Sequence, residues 1–156
     1  MSDFPRILAL YDDARTAGRK TGSCDWTDDY PNSKILTEDI ENRCIFIVEE
    51  GGKIIGAFTI LKTDDLDSEP LHWTPVNSCV PVRICIAPDR QGKGLGTQLM
   101  HELASTAKES GYQSLRLLAS VKNTPANRLY QRAGFKSKGN VHLYGSNYIA
   151  YEYLLP

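Results

Sequence analysis

The sequence predicts a single α/β domain over residues 1–156, because helical and strand-like patterns alternate along the chain without internal repeats, low-complexity tracts or an obvious linker. Hydrophobic residues make up 41% of the chain and charged residues 24%, as in ordinary globular proteins. Lys and Arg number 18 against 19 Asp and Glu, so the net charge of −1 gives no general attraction to nucleic acid or to an anionic membrane. Any anion site must therefore be local.

The N-terminal half predicts two helices and a hairpin. A helix is predicted to begin after Asp3, with Pro5 in its first turn and Gly18 as its stop. The segment SKILTEDIEN predicts a shorter second helix. Gly51 and Gly52 separate the apolar runs CIFIVEE and KIIGAFTILK, which indicates a β-hairpin. The acidic segment TDDLDSEPLHWTP that follows is typical of a long loop, either functional or simply solvated.

The next pair of elements is a strand and an amphipathic helix. The segment VPVRICIAP alternates in a way that predicts a strand ending at Pro88. Its predicted faces carry Val80, Val82, Ile84 and Ile86 on one side, and Pro81, Arg83 and Cys85 on the other. Apolar residues recur from Leu95 with helical spacing, which predicts a helix ended by Gly111.

The C-terminal part predicts a strand, a short helix and a hairpin. SLRLLAS has the composition of a buried strand. Thr124 is the predicted cap of a helix that has Pro125 at its first position and ends at Gly134. The apolar face of this helix would hold Ala126, Leu129, Tyr130 and Ala133. VHLYGSNYIAYEYLL predicts a terminal hairpin that turns at Gly145 and Ser146.

A glycine-rich stretch, RQGKGLGTQLM, lies between the strand that ends at Ala87 and the helix that begins near Leu95. A helix start has unpaired N–H groups and a positive dipole end, and glycines let a phosphate approach them closely. Arg90 and Lys93 add positive charge. The stretch therefore predicts an anion site, the alternative being a tight turn with incidental glycines.

Two common phosphate-binding loops do not fit this stretch. A P-loop requires Gly-Lys-Ser/Thr, whereas Gly94 follows Lys93. A dinucleotide fingerprint requires G-x-G-x-x-G, whereas Gly92, Gly94 and Gly96 are spaced by two. The spacing thus disfavours ATP, GTP and NAD as ligands.

Gln91, Gly94 and Gly96 match the pattern Gln/Arg-x-x-Gly-x-Gly/Ala, and NTPANRLYQRAGF matches Asn-x-x-Ala-x-x-Leu-Tyr-x-x-x-Gly-Phe. In both elements the chain resembles the GNAT superfamily of acetyl-CoA-dependent N-acetyltransferases, over residues 80–135. The resemblance implies an α/β fold with a mixed, mainly antiparallel sheet, flanked by helices and splayed between its fourth and fifth strands. Family members usually open with a short strand, whereas here a helical pattern begins almost at once.

The resemblance also implies the cofactor and its contacts. Acetyl-CoA, that is coenzyme A carrying an acetyl group, would bind its pyrophosphate at Gln91, Gly92, Lys93, Gly94, Leu95, Gly96 and Thr97. The backbone of Ile84, Cys85 and Ile86 would pair with the pantetheine arm, and Asn123 would also contact it. Tyr130 matches the tyrosine that protonates the departing thiolate. From the pattern alone, Tyr130 could be a core residue and Asn123 a turn residue.

The implied reaction is acetyl transfer to a primary amine by direct attack in a ternary complex, and a non-catalytic acyl-CoA-binding sensor is the alternative. The acceptor is either a small-molecule amine or a peptide or protein amine. Candidates for the general base are Glu49, Glu50, Asp64, Asp65, Glu69 and His72, or a water chain in their place. Trp26, Tyr30, His72 and Trp73 are candidates to line the acceptor pocket, although each could belong to the core or the rim.

Metal binding is not expected, because the four cysteines form no C-x-x-C pair and the three histidines lie far apart. The N-terminus has no secretory pattern, and no apolar run is long enough to span a membrane. We therefore expect a cytoplasmic protein with free thiols, either a monomer or a homodimer, with no nucleic-acid or membrane partner.

Overall fold

The computed structural model describes residues 3–22 and 26–156, which contain four α-helices and six strands. Two short 3-10 helices, Asp65–Ser68 and Pro88–Arg90, lie in the connections. The helices are α1 (Phe4–Thr21), α2 (Ser33–Glu41), α3 (Leu95–Glu109) and α4 (Thr124–Arg132). The strands are β1 (Ile45–Glu50), β2 (Lys53–Leu61), β3 (Ser78–Ile86), β4 (Ser114–Ser120), β5 (Lys136–Leu143) and β6 (Ser146–Leu154).

Helix α1 begins where the sequence predicts and ends later. It passes through Gly18 and continues to Thr21, and Gly22 closes it with a φ of +71°. The stop predicted at Gly18 is therefore wrong, since a glycine inside a helix costs only about 1 kcal/mol and packing can offset it. Within the described residues no strand precedes α1. Met1 and Ser2, where a vestigial first strand would lie, fall outside them.

The β1–β2 hairpin confirms the prediction made from the two glycines. Gly51 and Gly52 have φ values of +57° and +77°, as a two-residue turn with left-handed central residues requires. The strands pair antiparallel, from Ile45 opposite Thr59 to Glu50 opposite Lys53. Glycine adopts these φ values without strain, which suits it to both turn positions.

The six strands form one sheet in the order β1-β2-β3-β4-β6-β5, so the predicted mixed, mainly antiparallel α/β fold is confirmed. Strands β3 and β4 run parallel and pair at two positions, Ser78 with Ser114 and Cys79 with Leu115. They correspond to the fourth and fifth strands of the family, because no first strand precedes α1 in the described part of the chain. Both pairs lie within the second of the two compact units described next.

The chain divides into two compact units, each with its own core. The first comprises the residues up to Thr59 together with Arg83–Leu99, and the second comprises Ile60–Val82 together with Met100–Pro156. Buried residues of the first core are Ile7, Leu10, Tyr11, Leu36, Ile54, Ala57, Cys85 and Ala87. In the second unit, Leu66, Val80, Val141 and Ala150 form a buried cluster.

Strand β3 does not keep the regular alternation predicted for it. Arg83 lies in the left-handed region with a φ of +51°, which interrupts the two-residue repeat of a strand. Beyond this residue Cys85 is buried, whereas Ile84 and Ile86 are half-buried. The face predicted to hold Val80, Val82, Ile84 and Ile86 together is therefore wrong past Arg83.

The terminal hairpin turns one residue earlier than predicted. Tyr144 and Gly145 have φ values of +52° and +75° and connect Leu143 to Ser146. Strand β5 also begins at Lys136, before the apolar run that suggested it. Polar residues hide this strand in the sequence, because one of its faces is exposed.

The segment 62–77 is packed on the second unit and is not a solvated excursion. The Thr74 N–H donates to both carboxylate oxygens of Glu152, at 3.3 and 3.0 Å. The Thr74 carbonyl accepts from Arg116 Nη2 at 3.0 Å, and Arg116 Nη1 also donates to Asp67 at 2.9 Å. Side chains of β4 and β6 thus hold the middle of the segment through its backbone.

Candidate active site

The glycine-rich loop has the backbone that an anion site at a helix start requires. Gly92 and Gly94 adopt φ values of +76° and +78°, which residues with a side chain rarely adopt. An added Cβ at either glycine would meet nothing within 4 Å, so the space above the loop is open. The glycines are needed for their backbone angles, and the open space leaves room for a ligand.

Helix α3 leaves its first amides available next to this loop. The Gln98 N–H donates to the Gly94 carbonyl at 3.4 Å, which is the first helical hydrogen bond. The amides of Leu95, Gly96 and Thr97 precede it, and helix geometry gives them no partner within α3. They are where a phosphate would be bound by the N–H groups and the positive end of the helix dipole.

A cavity of about 130 Å³ lies against the same loop, within the first unit. Arg90 forms an ion pair with Glu50 on the β1–β2 hairpin. Lys93 makes no ion pair within residues 3–22 and 26–156, so its charge is uncompensated there. The lining residues are Glu50, Ile55, Arg90, Lys93, Gly94, Leu95 and Gln98.

Strand β3 is held in its irregular path from two sides. The Tyr11 hydroxyl donates to the Arg83 carbonyl at 2.5 Å. The Arg83 side chain donates to both oxygens of Asp39, from Nε at 2.8 Å and from Nη2 at 2.7 Å. Burial opposes the charge on Arg83, but the hydrogen bonds to Asp39 and Tyr30 outweigh it and raise its pKa. Hydrogen bonds to its backbone and side chain thus hold Arg83, the residue that precedes Ile84, Cys85 and Ile86.

In the second unit, α4 is capped by a residue other than the one predicted. Asn123, and not Thr124, is the N-cap, because its Oδ1 accepts from the Ala126 N–H at 3.2 Å. Thr124 is the first helical residue, and Pro125 follows it. The Asn123 side-chain amide nitrogen makes no hydrogen bond within the described part of the chain. Asn123 is therefore a capping residue with a free donor.

Tyr130 lies on the buried face of α4 and is 6% exposed. Its ring lies 5.6 Å from that of Phe135 and 5.8 Å from that of Tyr151. Burial, together with the neighbouring Tyr151, raises the pKa of the Tyr130 phenol, so its proton is retained at neutral pH. Packing against the core and a role as a proton donor are compatible here.

Asn127 is a buried polar residue that the sequence analysis missed. The predicted apolar face of α4 omits it, yet the structure buries Asn127 and Tyr130 as the pair facing inward. Its Nδ2 donates to the Ser120 and Asn123 carbonyls at 2.9 Å each, and its Oδ1 accepts from Tyr151 at 2.7 Å. Only the hydrogen bonds, which a sequence does not show, explain why an asparagine is tolerated here.

The predicted acceptor residues fall in different surroundings. Trp26 packs against the first core, with its ring 5.6 Å from that of Tyr11, and Trp73 stacks on Arg116 at 5.0 Å. His72 is exposed, with a φ of +52°. Tyr30 is 37% exposed and contacts Arg83. Tyr30 is thus the predicted aromatic residue that combines exposure with a contact to β3.

Most of the carboxylates considered as general bases are engaged with other side chains. Glu49 accepts a hydrogen bond from Arg6, and Glu50 pairs with Arg90. Asp64 and Asp65 both accept from the Tyr144 hydroxyl, at 3.1 and 2.9 Å. These contacts favour none of the four as a dedicated base.

The described residues also bear on metals, thiols and membranes. No group of three or more metal-ligating side chains occurs among residues 3–22 and 26–156. Cys44, Cys79 and Cys85 form no disulfide within these ranges, and Cys24, which was also predicted to be a thiol, lies outside them. None of the helices described is long and apolar enough to cross a bilayer.

Comparison with known proteins agrees with the fold. The chain is 29% identical over 117 residues to "Probable N-acetyltransferase camello" of Xenopus tropicalis, covering 71% of this chain and 49% of that protein. It is 26% identical over 157 residues to an L-methionine sulfoximine/L-methionine sulfone acetyltransferase of Pseudomonas aeruginosa, covering 95% of this chain and 83% of that one. The chain spans about half the length of several curated relatives that it matches.

Among solved structures, a GNAT-family acetyltransferase of Streptococcus agalactiae superimposes with a TM-score of 0.85 at 24% identity, covering 98% of this chain and 90% of that one. The model of the GNAT acetyltransferase family matches residues 7–135, which include both the glycine-rich loop and α4. The chain therefore belongs to the GNAT acetyltransferase family.

Proposed function

We propose that the protein transfers the acetyl group of acetyl-CoA to a primary amine, which attacks directly in a ternary complex. The glycine-rich loop carries this proposal. Gly92 and Gly94 are left-handed and open to solvent, and they lead into three helix-start amides without partners in α3. This arrangement fits a pyrophosphate, and family membership favours acetyl-CoA as the ligand that contains it.

The first unit would bind the cofactor through its loop and β3. The amides of Leu95, Gly96 and Thr97, with the uncompensated charge of Lys93, would hold the pyrophosphate, as would the remaining loop residues Gln91, Gly92 and Gly94. The backbone of Ile84, Cys85 and Ile86 would hydrogen-bond the pantetheine arm and the developing oxyanion. Bound acetyl-CoA supplies the activated acetyl thioester.

The second unit would contribute a proton donor. Tyr130 retains its proton at neutral pH, because burial raises its pKa, and we assign it the protonation of the departing thiolate. Asn123, whose side-chain nitrogen is free, would contact the cofactor arm. The acceptor amine must lose a proton as well, since an alkylamine with a pKa of about 10.4 is mostly charged at pH 7. A water chain is our assignment for that step, given the engagement of Glu50 and Asp64.

We propose a small-molecule amine as the acceptor. The Pseudomonas relative that matches nearly the whole chain is named for two amino-acid acceptors, L-methionine sulfoximine and L-methionine sulfone. A panel of amino acids, polyamines and N-terminal peptides, assayed for CoA thiol release, would test the class. Turnover confined to peptides would replace the small amine by a peptide or protein amine. Cofactor binding without turnover of any amine would favour the acyl-CoA-binding sensor.

Calorimetry with acetyl-CoA tests the cofactor site independently of the acceptor. Gly94→Val places a β-branched residue at a φ of +78° in the loop, and Gly22→Val does the same at +71° after α1. Both glycines have open space around a Cβ, so the backbone strain is matched. We expect Gly94→Val to lose cofactor affinity and Gly22→Val to keep it. Equal affinity in the two folded variants would refute the loop site.

The remaining assignments complete the proposal. We place the protein in the cytoplasm, where acetyl-CoA and reduced thiols coexist, as a monomer or homodimer without a nucleic-acid or membrane partner. The near-neutral charge balance supports the absence of a nucleic-acid or membrane partner.

A further inference from the structure

Tyr30 forms an exposed polar contact beside the strand proposed to bind the cofactor. Its hydroxyl accepts a hydrogen bond from Arg83 Nη1 at 3.1 Å, and the Arg83 guanidinium lies 5.9 Å from the centre of its ring. Arg83 directly precedes Ile84–Ile86 in β3. The Tyr30 hydroxyl is therefore held by the side chain of the residue that precedes the backbone proposed to bind the pantetheine arm.

Arg83 itself is not available to bind an anion. Its Nε and Nη2 both donate to Asp39, and the Thr59 hydroxyl donates to the same carboxylate at 2.8 Å. The side chains of Arg83 and Asp39 are only 9% and 7% exposed. Its charge is neutralised by Asp39, and three of its five N–H donors are directed to Asp39 and Tyr30, so this largely buried side chain would act on a ligand through Tyr30.

The Tyr30 hydroxyl retains its donor function. Its oxygen accepts from a cation, and its own proton has no acceptor among the described residues. A hydroxyl that accepts from a charged donor becomes a stronger donor, because hydrogen bonds in a chain polarise one another. The free proton of Tyr30 is thus suited to an oxygen atom on a ligand.

We propose that Tyr30 determines acceptor specificity by donating this hydrogen bond to an oxygen atom of the acceptor amine, a carboxylate or a sulfonyl oxygen. Asp39 and Arg83 are positioning residues, which hold the hydroxyl through the ion pair. The inference rests on the proposed function, because it assumes a small amine as the acceptor.

Tyr30→Phe keeps the ring and removes the hydroxyl, so it isolates the hydrogen bond. Three acceptors are compared by steady-state kinetics: L-methionine sulfone, L-methionine, which lacks the sulfonyl group, and methylsulfonylpropylamine, which lacks the carboxylate. With the sulfone, we expect Tyr30→Phe to lower kcat/KM by about 10-fold, chiefly through KM, which is typical of one hydrogen bond to a polar or charged group. With the analogue that lacks the contacted group, the variant and the wild type should have equal kcat/KM.

The analogue that abolishes the effect identifies the oxygen. Tyr112→Phe, which removes a phenol just after α3, should leave all three values unchanged, and CoA affinity by calorimetry should not change in Tyr30→Phe. Asp39→Asn, which weakens the ion pair with Arg83, should raise KM for the sulfone, as Tyr30→Phe does.

Two kinetic outcomes overturn the inference: no effect of Tyr30→Phe on the sulfone, or an equal fall with all three acceptors. A wild-type protein that neither acetylates nor binds any of the three in the presence of CoA also overturns it, together with the small-amine acceptor. Thiol release with a peptide amine would then show that the acetyltransferase activity itself stands.

Discussion

The Tyr151 hydroxyl donates a hydrogen bond of 2.7 Å to Asn127 Oδ1, and the Tyr151 ring lies 5.8 Å from that of Tyr130. Tyr151 is fully buried, and Asn127 is 8% exposed. The Asn127 amide nitrogen meanwhile joins the carbonyls of Ser120 and Asn123. One buried side chain thus links β4, the start of α4 and β6 next to the proposed acid.

Tyr151→Phe should destabilise the protein by about 1–3 kcal/mol, because it leaves the buried Asn127 oxygen without its donor. Urea unfolding measures the change. Tyr153→Phe is the control, because Tyr153 lies in β6 as Tyr151 does and its ring stacks on that of Phe135 at 5.1 Å. The Tyr153 hydroxyl makes no hydrogen bond within the described residues. Equal midpoints for the two variants would show that the Tyr151 hydroxyl contributes nothing to stability.

Tyr130→Phe should lower the rate of acetyl transfer by about 10²- to 10⁴-fold, the usual contribution of a positioned proton donor, while cofactor affinity changes little. Single-turnover kinetics and calorimetry separate the two effects. The pKa of Tyr130 lies above its usual 10.0, so this group should cause no alkaline loss of activity below that pH. A variant with wild-type transfer would make Tyr130 a packing residue.

Asp39→Ala should cost about 3–5 kcal/mol, because it leaves the buried Arg83 guanidinium without its counter-charge. Asp28→Ala is the control, because it removes the carboxylate that pairs with Arg19 and the Asp28 side chain is 84% exposed. This variant should change the free energy of unfolding little. Replacing both charges, as in Asp39→Leu with Arg83→Met, should cost less than Asp39→Ala. A larger loss in the double variant would contradict the charge argument.

Stability should fall at alkaline pH through Cys79. Burial, with a smaller effect of Asp67, raises the pKa of this thiol from 9.0 to about 12. The folded protein therefore keeps a proton that the unfolded chain releases, so this contribution is complete below pH 9.0 and is lost as the pH rises towards 12.

Between about pH 8 and pH 10.5, the free energy of unfolding should fall more steeply for the wild type than for Cys79→Ser, whose side chain does not titrate there. Comparing the two slopes, and not the absolute values, removes the cost of the substitution itself. Parallel slopes would mean that Cys79 titrates alike in the folded and unfolded states.

The sequence predicted those parts of the molecule in which local signals and the fold agree. Gly51 and Gly52 fixed the first hairpin, and the glycine-rich loop fell at the start of α3 as expected. Arg83 could not be predicted to leave the regular strand, because the hydrogen bonds that hold it come from Tyr11 and Asp39, distant in sequence.

Asn127 was missed for a related reason. A polar residue on a helix is assigned to the solvent side by periodicity, and the hydrogen bonds to Ser120, Asn123 and Tyr151 reverse that assignment. The N-cap is Asn123 and not Thr124. Both residue types favour that position, so a sequence does not show which of two adjacent residues will occupy it.

The hydrogen bonds to Thr74 change the loop-closure entropy of the segment 62–77. Both backbone groups of Thr74 are bound by side chains of β4 and β6, and Asp67 is bound to Arg116 as well. The segment consequently closes as a series of short loops, each with its own small entropic cost, which grows only with the logarithm of its length. Extra residues inserted between Asp67 and Thr74 would lengthen one short loop and leave the anchors in place, so such an insertion should cost little loop entropy.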